Sequence, residues 1–489
     1  MTTVRSRAGA ITFGLIGYLF LVEIVSGILQ GYYVPLISDL VKYLHIRDAD
    51  FNWFEAAQLL LSALVVPILA KLGDMFGHKR ILLVSTVLTA GASWALIFAD
   101  NFWTFLVAWA LQGFYVVWLP LEVALIFDRG GRTGRGASQT RRAAGFLVVA
   151  LETGAIIGAL LGGRVFGWFG HNVPLTLAIP AIAVTLVFFA VLFGVPESTS
   201  LPGRRLDVVG FSLLTIGLLL ITSGLTFLRL NGLEAWWVYI LIVLGLLVFV
   251  PFGLYELKQD DPAIDLRVLR QPNMWPVQLT AGLIGISLLG AQAPLSAYAG
   301  TDPANGYGLG LDSGDRSTLI GVYLISMIGG AVLFPMVSRW FSPRVALIIA
   351  AFLVAIGYLL FVPFHLETWQ VFLNMFIAGI GSGALVGAMP AAAAAAAPRG
   401  QTGIAAALTN TTKTIGGSFA SAIFGIVLAM GALTVATSTA SSLSGYLTVW
   451  IICGLGALVA AVLLFFVPKL AFADIAEDLP ASTETASVE

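Results

Sequence analysis

Four glutamates interrupt long apolar stretches of the sequence: Glu23, Glu55, Glu122 and Glu152. A charged side chain inside a membrane costs roughly 3 kcal/mol or more unless it is paired, neutralised or exposed to water. Each acid therefore either binds a proton or a cationic substrate in turn, or is a structural acid held by a local hydrogen bond. For Glu55, near the outer end of its stretch, a solvated charge at the membrane surface is the structural alternative.

Three polar residues share helical faces with these acids: Gln30 with Glu23, and Gln112 and Tyr115 with Glu122. The second half of the chain has amides but no acids at a comparable depth: Gln278, Gln292, Asn374 and Asn410. We therefore expect a cavity that is acidic on one side and largely apolar or aromatic on the other. Such a cavity suits an amphiphilic substrate, and its acids favour a cation.

The composition identifies the elements that must position these residues. Of 489 residues, 58% are hydrophobic and only 10% are charged, and the mean hydropathy is +0.95. Soluble domains carry about 25% charged residues, so this chain cannot present an ordinary water-facing surface. The sequence predicts an all-α polytopic membrane protein.

Several function classes are disfavoured by the same sequence. The net charge of −1 gives no reason to expect a nucleic-acid partner, and the single cysteine, Cys453, cannot form an intramolecular disulfide. The four histidines lie in separate connections without the spacing of metal ligands. No Ser/His/Asp or nucleotide-binding pattern is visible. We therefore expect no enzyme activity, metal or cofactor.

A membrane-spanning helix needs roughly 20 apolar residues. By that measure the sequence predicts about fourteen such helices, numbered 1 to 14 below. Their expected ranges are 11–38, 52–71, 81–99, 102–127, 142–168, 172–194, 207–229, 234–257, 274–299, 316–338, 344–363, 368–390, 402–430 and 444–467.

Lysines and arginines are concentrated in every second connection, beginning with the one between helices 2 and 3. Because cytoplasmic loops carry an excess of basic residues, both termini are predicted to be cytoplasmic in a multi-pass protein of the cell membrane. Helices 1–6 and 9–14 form equal blocks, which is a common plan of transporters. The predicted divisions are a six-helix bundle at 1–199, two additional helices at 200–272, a second six-helix bundle at 273–468 and a disordered cytoplasmic tail at 469–489.

The connection between helices 2 and 3 is short and strongly polar, reading AKLGDMFGHKRILL. Gly73 and Gly77 allow its backbone to turn tightly and to approach neighbouring helices. Asp74, Lys79 and Arg80 concentrate charge within seven residues. This combination indicates a tight cytoplasmic hairpin.

Helix 5 carries a second motif, a glycine series at four-residue spacing: Gly154, Gly158, Gly162 and Gly163. Small residues at this spacing let membrane helices approach closely and move without interlocking side chains. Taken alone, the series indicates only tight helix packing.

With these two motifs, and over essentially the whole chain, the sequence resembles the major facilitator superfamily, most closely its fourteen-helix drug:proton antiporter branch. The hairpin is similar to the superfamily motif G-x-L-a-D-r-x-G-r-k, with Ala70 and Met75 replacing two motif residues. The glycine series is similar to g-x-x-x-G-P-x-x-G-G, with Ala159 in place of proline. The resemblance implies that Asp74 locks an outward-facing gate at the start of helix 13. It also implies that Asp128 completes a charge cluster with the hairpin.

Two departures from the family pattern concern proton coupling. Trp109 replaces the arginine of the helix 4 pattern R-x-x-Q-G, and Ser26 stands where alignment places an aspartate in helix 1. Glu23 lies one turn earlier and offers a substitute. Either the membrane glutamates couple protons by another arrangement, or the coupling is altered or absent. Lys413 in helix 13 is expected to have a structural role rather than to contact substrate.

The resemblance implies a secondary active exporter of the multidrug-efflux type, contributing to antibiotic resistance. Its substrates would be amphiphilic or cationic small molecules, and alternating access would be coupled to proton influx. The alternative is export of an endogenous lipid, glycolipid or secondary metabolite with altered or no proton coupling. The implied partners are the small-molecule substrate, protons and membrane lipids, and a monomer suffices.

Overall fold

The computed structural model describes residues 13–131, 136–198, 206–259, 262–396, 402–430 and 440–466. Over these residues the chain is helical apart from its connections, and no strand occurs. Thirteen helices are long and apolar enough to cross a membrane, and a further apolar helix has 17 residues. The predicted all-α membrane fold of about fourteen helices is confirmed. The predicted tail at 469–489 lies outside the described residues.

Eleven of the fourteen helices are continuous. They are helix 2 (Asp48–Phe76), helix 3 (His78–Ile97), helix 5 (Gly136–Trp168), helix 6 (Val173–Gly194), helix 7 (Val208–Asn231), helix 8 (Trp236–Glu256), helix 10 (Ser313–Trp340), helix 11 (Pro343–Leu359), helix 12 (Thr368–Ala396), helix 13 (Thr402–Met430) and helix 14 (Leu443–Phe466).

Helices 1, 4 and 9 each contain an irregular turn, where local backbone bonding departs from the α pattern. Their segments are Phe13–Gly31, Val34–Leu36 and Ile37–Tyr43; Phe102–Gln112, Gly113–Val117 and Trp118–Gly131; and Trp275–Gly285, Ile286–Gly290 and Gln292–Gly300. Irregular turns within a helix often mark functional positions. Two further short helices, Leu266–Leu269 and Pro303–Asn305, lie in connections.

Side-chain caps define several helix starts, because the first backbone N–H groups of a helix need acceptors. Asn101 caps helix 4, Asn172 caps helix 6, Asp207 caps helix 7 and Asp312 caps helix 10. Each places a carbonyl or carboxylate oxygen on an N–H of the first turn. The sequence thus contains local signals for the helix boundaries in addition to the apolar lengths.

We call the end of the molecule where helices 2 and 3 meet the hairpin end, and the opposite end the far end. Helix 1 packs along helix 5, and helix 5 also contacts helix 10, while helix 2 packs along helix 13. Helices 7 and 8 pack mainly on each other, with helix 7 also touching helices 2 and 13. The division into two bundles with an inserted pair stays a prediction, as does the cytoplasmic placement of the termini.

Candidate functional site

Two of the predicted acids are buried within electrostatic range of each other inside the first six helices. Glu23 of helix 1 and Glu122 of helix 4 are both 0% exposed. None of their four carboxyl oxygens has a hydrogen-bond partner in the part of the chain that the structure describes. The two groups lie close enough to interact electrostatically. We call these two residues the acid pair.

Polar groups of helices 1 to 4 extend from the acid pair. The Gln112 amide donates to the Tyr33 hydroxyl at 2.9 Å and to the Ser93 hydroxyl at 3.0 Å. Tyr115 is within electrostatic range of Glu23 and of Glu55. Four helices therefore bring most of the predicted polar residues together.

Gln30 does not join this group. It is exposed, whereas Glu23 is fully buried. Between them Gly27 lies against the backbone carbonyl of Leu151, so helix 5 covers this face of helix 1. The predicted polar stripe is therefore divided by helix packing.

Trp109, in place of the motif arginine, lies in a buried aromatic cluster. Its ring centroid is 5.1 Å from that of Tyr33, 5.2 Å from that of Phe51 and 5.5 Å from that of Phe105. Aromatic pairs at such distances are favourable beyond their buried area. The position that the family pattern gives to a cation is thus filled by apolar packing.

Glu152 of helix 5 lies near the last six helices instead. It is half-buried and within electrostatic range of Lys413 of helix 13 and of Tyr323 of helix 10. Lys413 lines a small, partly open cleft among helices 9, 12 and 13, which we call the 9–12–13 cavity. Lys413 therefore lies at the edge of this cleft, and its expected structural role stays a prediction. The second side of the site carries a cation.

Apolar side chains form most of the wall of the 9–12–13 cavity. The residues that line it are Ala281, Ile284, Leu385, Val386, Met389, Pro390, Thr409, Asn410 and Lys413. The polar members all come from helix 13, so one wall is polar and the others are apolar. This arrangement suits a ligand that has a polar and an apolar part.

The hairpin is tighter than the sequence suggests. Gly77 alone separates helices 2 and 3, and its φ of +105° is a conformation that favours glycine. Asp74 Oδ1 lies 3.2 Å from His78 Nε2. Asp74 makes no hydrogen bond or ion pair with the described residues of helix 13. Its assignment as a gate latch stays a prediction.

Glu197 and Ser198, which follow helix 6, hold the hairpin and were missed by the sequence reasoning. The Lys79 backbone N–H donates to Glu197 Oε1 at 3.0 Å, and the His78 backbone N–H donates to Ser198 Oγ at 2.9 Å. Arg80 Nε lies 3.6 Å from Glu197 Oε2. The sequence signal that could have identified them is a pair of polar residues directly after an apolar helix.

Other charged groups complete the hairpin end. Arg129 at the end of helix 4 donates to the backbone carbonyl of Glu197 at 3.4 Å, and Asp128 beside it is half-buried. Lys79 Nζ donates to the Leu192 carbonyl at 2.8 Å. Helices 3, 4 and 6 are thus tied together here.

The helix 5 glycines serve two different interfaces. Gly154, Gly158 and Gly162 lie against backbone carbonyl groups of helix 1, where a side chain would collide. Gly163 lies against the Ser313 carbonyl of helix 10, and its N–H donates to Ser317 Oγ at 2.9 Å. The series therefore allows close packing within the first six helices and across to the last six.

Polar contacts join the first six and last six helices in the far half of the molecule. Arg316 Nη2 of helix 10 pairs with Asp39 Oδ2 of helix 1 at 2.5 Å. The Tyr446 hydroxyl of helix 14 donates to Asp48 Oδ2 at 3.1 Å. The Ser296 hydroxyl donates to the Val34 carbonyl at 2.6 Å. We call these contacts the far-end gate.

The charged groups of the hairpin bond differently from those of the far-end gate. The partners described above for Asp74, His78, Lys79 and Arg80 all belong to the first six helices and to the residues that follow helix 6. The far-end gate, in contrast, holds helices 1 and 2 against helices 9, 10 and 14. The structure is therefore closed at the far end. The sequence offered no signal for these pairings, since their members lie hundreds of positions apart.

Comparison with known proteins agrees with this architecture. Residues 19–421 match the profile of the Major Facilitator Superfamily. The multidrug transporter protein MdtP of Bacillus subtilis is 21% identical, over 87% of this chain and 76% of its own. The triacylglyceride transporter of Mycobacteroides abscessus is 26% identical, over 72% and 69%.

A solved structure shares the fold. The nucleoside transporter NupG superposes with a TM-score of 0.62 at 13% identity, covering 92% of this chain and 98% of its own. The fourteen-helix architecture and the family profile, which spans most of the sequence, lead to one conclusion: this chain belongs to the major facilitator superfamily of membrane transporters.

Proposed function

We propose that this protein is a secondary active exporter of amphiphilic or cationic small molecules that works by alternating access and is driven by proton entry. The observation that carries the proposal is the acid pair. Two ionised carboxylates that are fully buried, lack partners and lie within electrostatic range of each other would be strongly unfavourable. The pair is therefore suited to hold a proton in one state and to release it in another.

Proton binding can drive the cycle only if it favours one conformation over the other. The acid pair lies between helices 1 and 4, and helix 1 also carries Asp39 of the far-end gate. In this proposal a change of charge on Glu23 acts on the contacts that close the far end through helix 1, whose irregular turn lies between Glu23 and Asp39. Tyr115 and Glu55 provide further groups through which a proton reaches the acid pair.

Export is supported by two features. The helix 5 series Gly154, Gly158, Gly162 and Gly163 resembles the antiporter motif, and the relative MdtP is named as a multidrug transporter. The hairpin residues Gly73, Asp74, Gly77, Lys79, Arg80 and Asp128 act in this proposal as the latch that closes the hairpin end. In the far-end-closed state Asp74 makes no bond with the described residues of helix 13, and substrate enters from the hairpin end.

The test is transport by the purified protein in liposomes, with a fluorescent lipophilic cation as the probe. Substrate movement is expected to follow an imposed proton gradient and to stop when an ionophore collapses it. Glu23→Gln and Glu122→Gln are expected to abolish the gradient-driven part. Glu234→Gln, which changes an exposed acid, is the matched control. Gradient-independent transport, or full activity in both acid-pair variants, would refute proton coupling through these residues.

Export of a lipid is the second candidate function. The mainly apolar wall of the 9–12–13 cavity favours it, and one relative is named as a triacylglyceride transporter. A comparison of thermal stabilisation by lipids and by cationic dyes separates the two candidates. Stabilisation by lipids alone would favour the second.

A further inference from the structure

We propose that Lys413 and Glu152 form a binding site for a zwitterionic amphiphile. Lys413 would bind the anionic group of the head group, Glu152 would bind the cationic group, and the apolar tail would lie along the apolar wall of the 9–12–13 cavity. This inference rests on the proposed transport function and names its substrate class.

Lys413 is a cation without a partner among the described residues. Its side chain lines the cavity, and it makes no hydrogen bond or ion pair with any residue in that part of the chain. An ammonium group has three donors and no acceptor, and leaving it unpaired inside a membrane is unfavourable. Asn410, about one turn before it, adds an amide to the same wall, whereas the Thr409 hydroxyl already donates to the Ala405 carbonyl at 3.0 Å. Together these groups suit a phosphate, sulfonate or carboxylate.

Glu152 supplies the opposite charge from the other half of the molecule. It also has no hydrogen-bond or ion-pair partner among the described residues, although it lies within electrostatic range of Lys413. The two charged groups are farther apart than the 4.0 Å of a direct salt bridge. The gap leaves each charge available to a ligand that carries both signs.

The pairing disfavours ligands of a single charge. A pure cation at Glu152 is repelled by Lys413, and a pure anion at Lys413 is repelled by Glu152. A zwitterion satisfies both groups at once and adds no net charge to the interior. Because Glu152 lies on helix 5 and Lys413 on helix 13, such a ligand also bridges the first six and last six helices.

The apolar part of the ligand has a defined location. Ile284 of helix 9 and Leu385, Val386 and Met389 of helix 12 line the cavity beside Lys413. Methionine adapts to ligands of different shape. The site therefore combines a charge-selective head-group position with a permissive apolar wall.

The test measures equilibrium binding to the full-length protein in nanodiscs, without any ion gradient. Three probes share one decyl chain and differ in the head group: phosphocholine, trimethylammonium and sulfate, each below its micellar concentration. The wild-type protein is expected to bind the phosphocholine about tenfold or more tightly than either singly charged probe. The Lys413→Gln variant is expected to bind the trimethylammonium probe most tightly. The Glu152→Gln variant is expected to bind the sulfate probe most tightly.

Two further variants separate recognition from loss of folding. The double exchange of Glu152→Lys with Lys413→Glu keeps both charges and is expected to keep the phosphocholine preference. Arg339→Gln, an exposed basic residue of helix 10, is the matched control and is expected to leave all affinities unchanged. Equal weakening of all three probes by the single variants would overturn the proposal, as would tightest binding of the cation by the wild-type protein.

The result is independent of the transport test. Charge-selective binding without gradient-driven transport of either the lipophilic cation or the phosphocholine probe would refute the exporter proposal and support the site. Gradient-driven transport without charge-selective binding would refute the site alone.

Discussion

Loss of the Asp39 charge is predicted to open the far end of the molecule. In the closed state the Arg316 side chain is 3% exposed and pairs with Asp39, whose side chain is 18% exposed. Asp39→Asn keeps the shape of the side chain but leaves the guanidinium buried beside a neutral group. Conformations in which the Arg316 guanidinium reaches water then become more favourable.

The size of the effect follows from the burial of the pair. Removing one partner of a buried ion pair costs about 3–5 kcal/mol. The partial exposure of Asp39 reduces this, because solvent screens part of the interaction, so we expect about 2–3 kcal/mol. At 1.4 kcal/mol for each factor of ten, the population with an open far end should rise roughly 30- to 140-fold.

Cysteine labelling in nanodiscs measures this population, with both ends of the protein accessible to the reagent. The reporter is Val34→Cys, at a buried position of the far-end gate. The native Cys453, which is also buried, is replaced by serine. The labelling rate of the reporter is expected to rise by the same factor in the Asp39→Asn background.

Two comparisons make the experiment decisive. Asp39→Glu keeps the charge and should restore slow labelling. Asp315→Asn is the matched control. Asp315 is exposed and precedes Arg316 in the sequence, and its side chain makes no bond with the described residues. A labelling rate in Asp39→Asn no higher than that in Asp315→Asn would refute the assignment of the far-end gate.

Three further predictions address packing at other points. Gly163→Val should prevent closure of helix 5 on helix 10 and raise reporter labelling, whereas Gly167→Ala, at a site with nothing nearby, should not. Glu197→Gln should lower the free energy of unfolding by about 1–2 kcal/mol, because one carboxylate binds the Lys79 N–H and faces Arg80; chemical denaturation would measure it, and unchanged stability would contradict it. Arg229→Ala removes the guanidinium that pairs with Asp50 and lies 5.4 Å from the Trp53 ring. This substitution should lower the free energy of unfolding by about 2–4 kcal/mol, again measured by chemical denaturation. A smaller loss than that of Glu197→Gln would contradict the inference that Arg229 anchors helix 7 to helix 2.

Much of the fold could be predicted because its signals are local. In lipid every backbone polar group must be bonded within the chain, so an apolar stretch of sufficient length becomes a helix. The predicted range 172–194 for helix 6 differs by one residue from the observed Val173–Gly194. The departures occur at hairpins and irregular turns, such as the single-residue connection at Gly77, where polar residues continue a helix past the apolar stretch.

The candidate site could be predicted only in part. The sequence determined by itself that Glu23, Glu122 and Glu152 would lie in membrane helices, since their flanking residues are apolar. It also determined where the hairpin and the glycine series stand along the chain. Which residues face each other was not determined, because a helix repeats every 3.6 residues but its rotation about its own axis depends on its neighbours.

Only the tertiary structure decided the pairings. It brought Glu23 to Glu122 and separated Gln30 from both, because helix 5 packs over the intervening face of helix 1. It placed Lys413 within range of Glu152 and Arg316 against Asp39, across helices that are distant in sequence. The physical reason is that the cost of burying a charge is local, whereas the partner that offsets it is selected by packing.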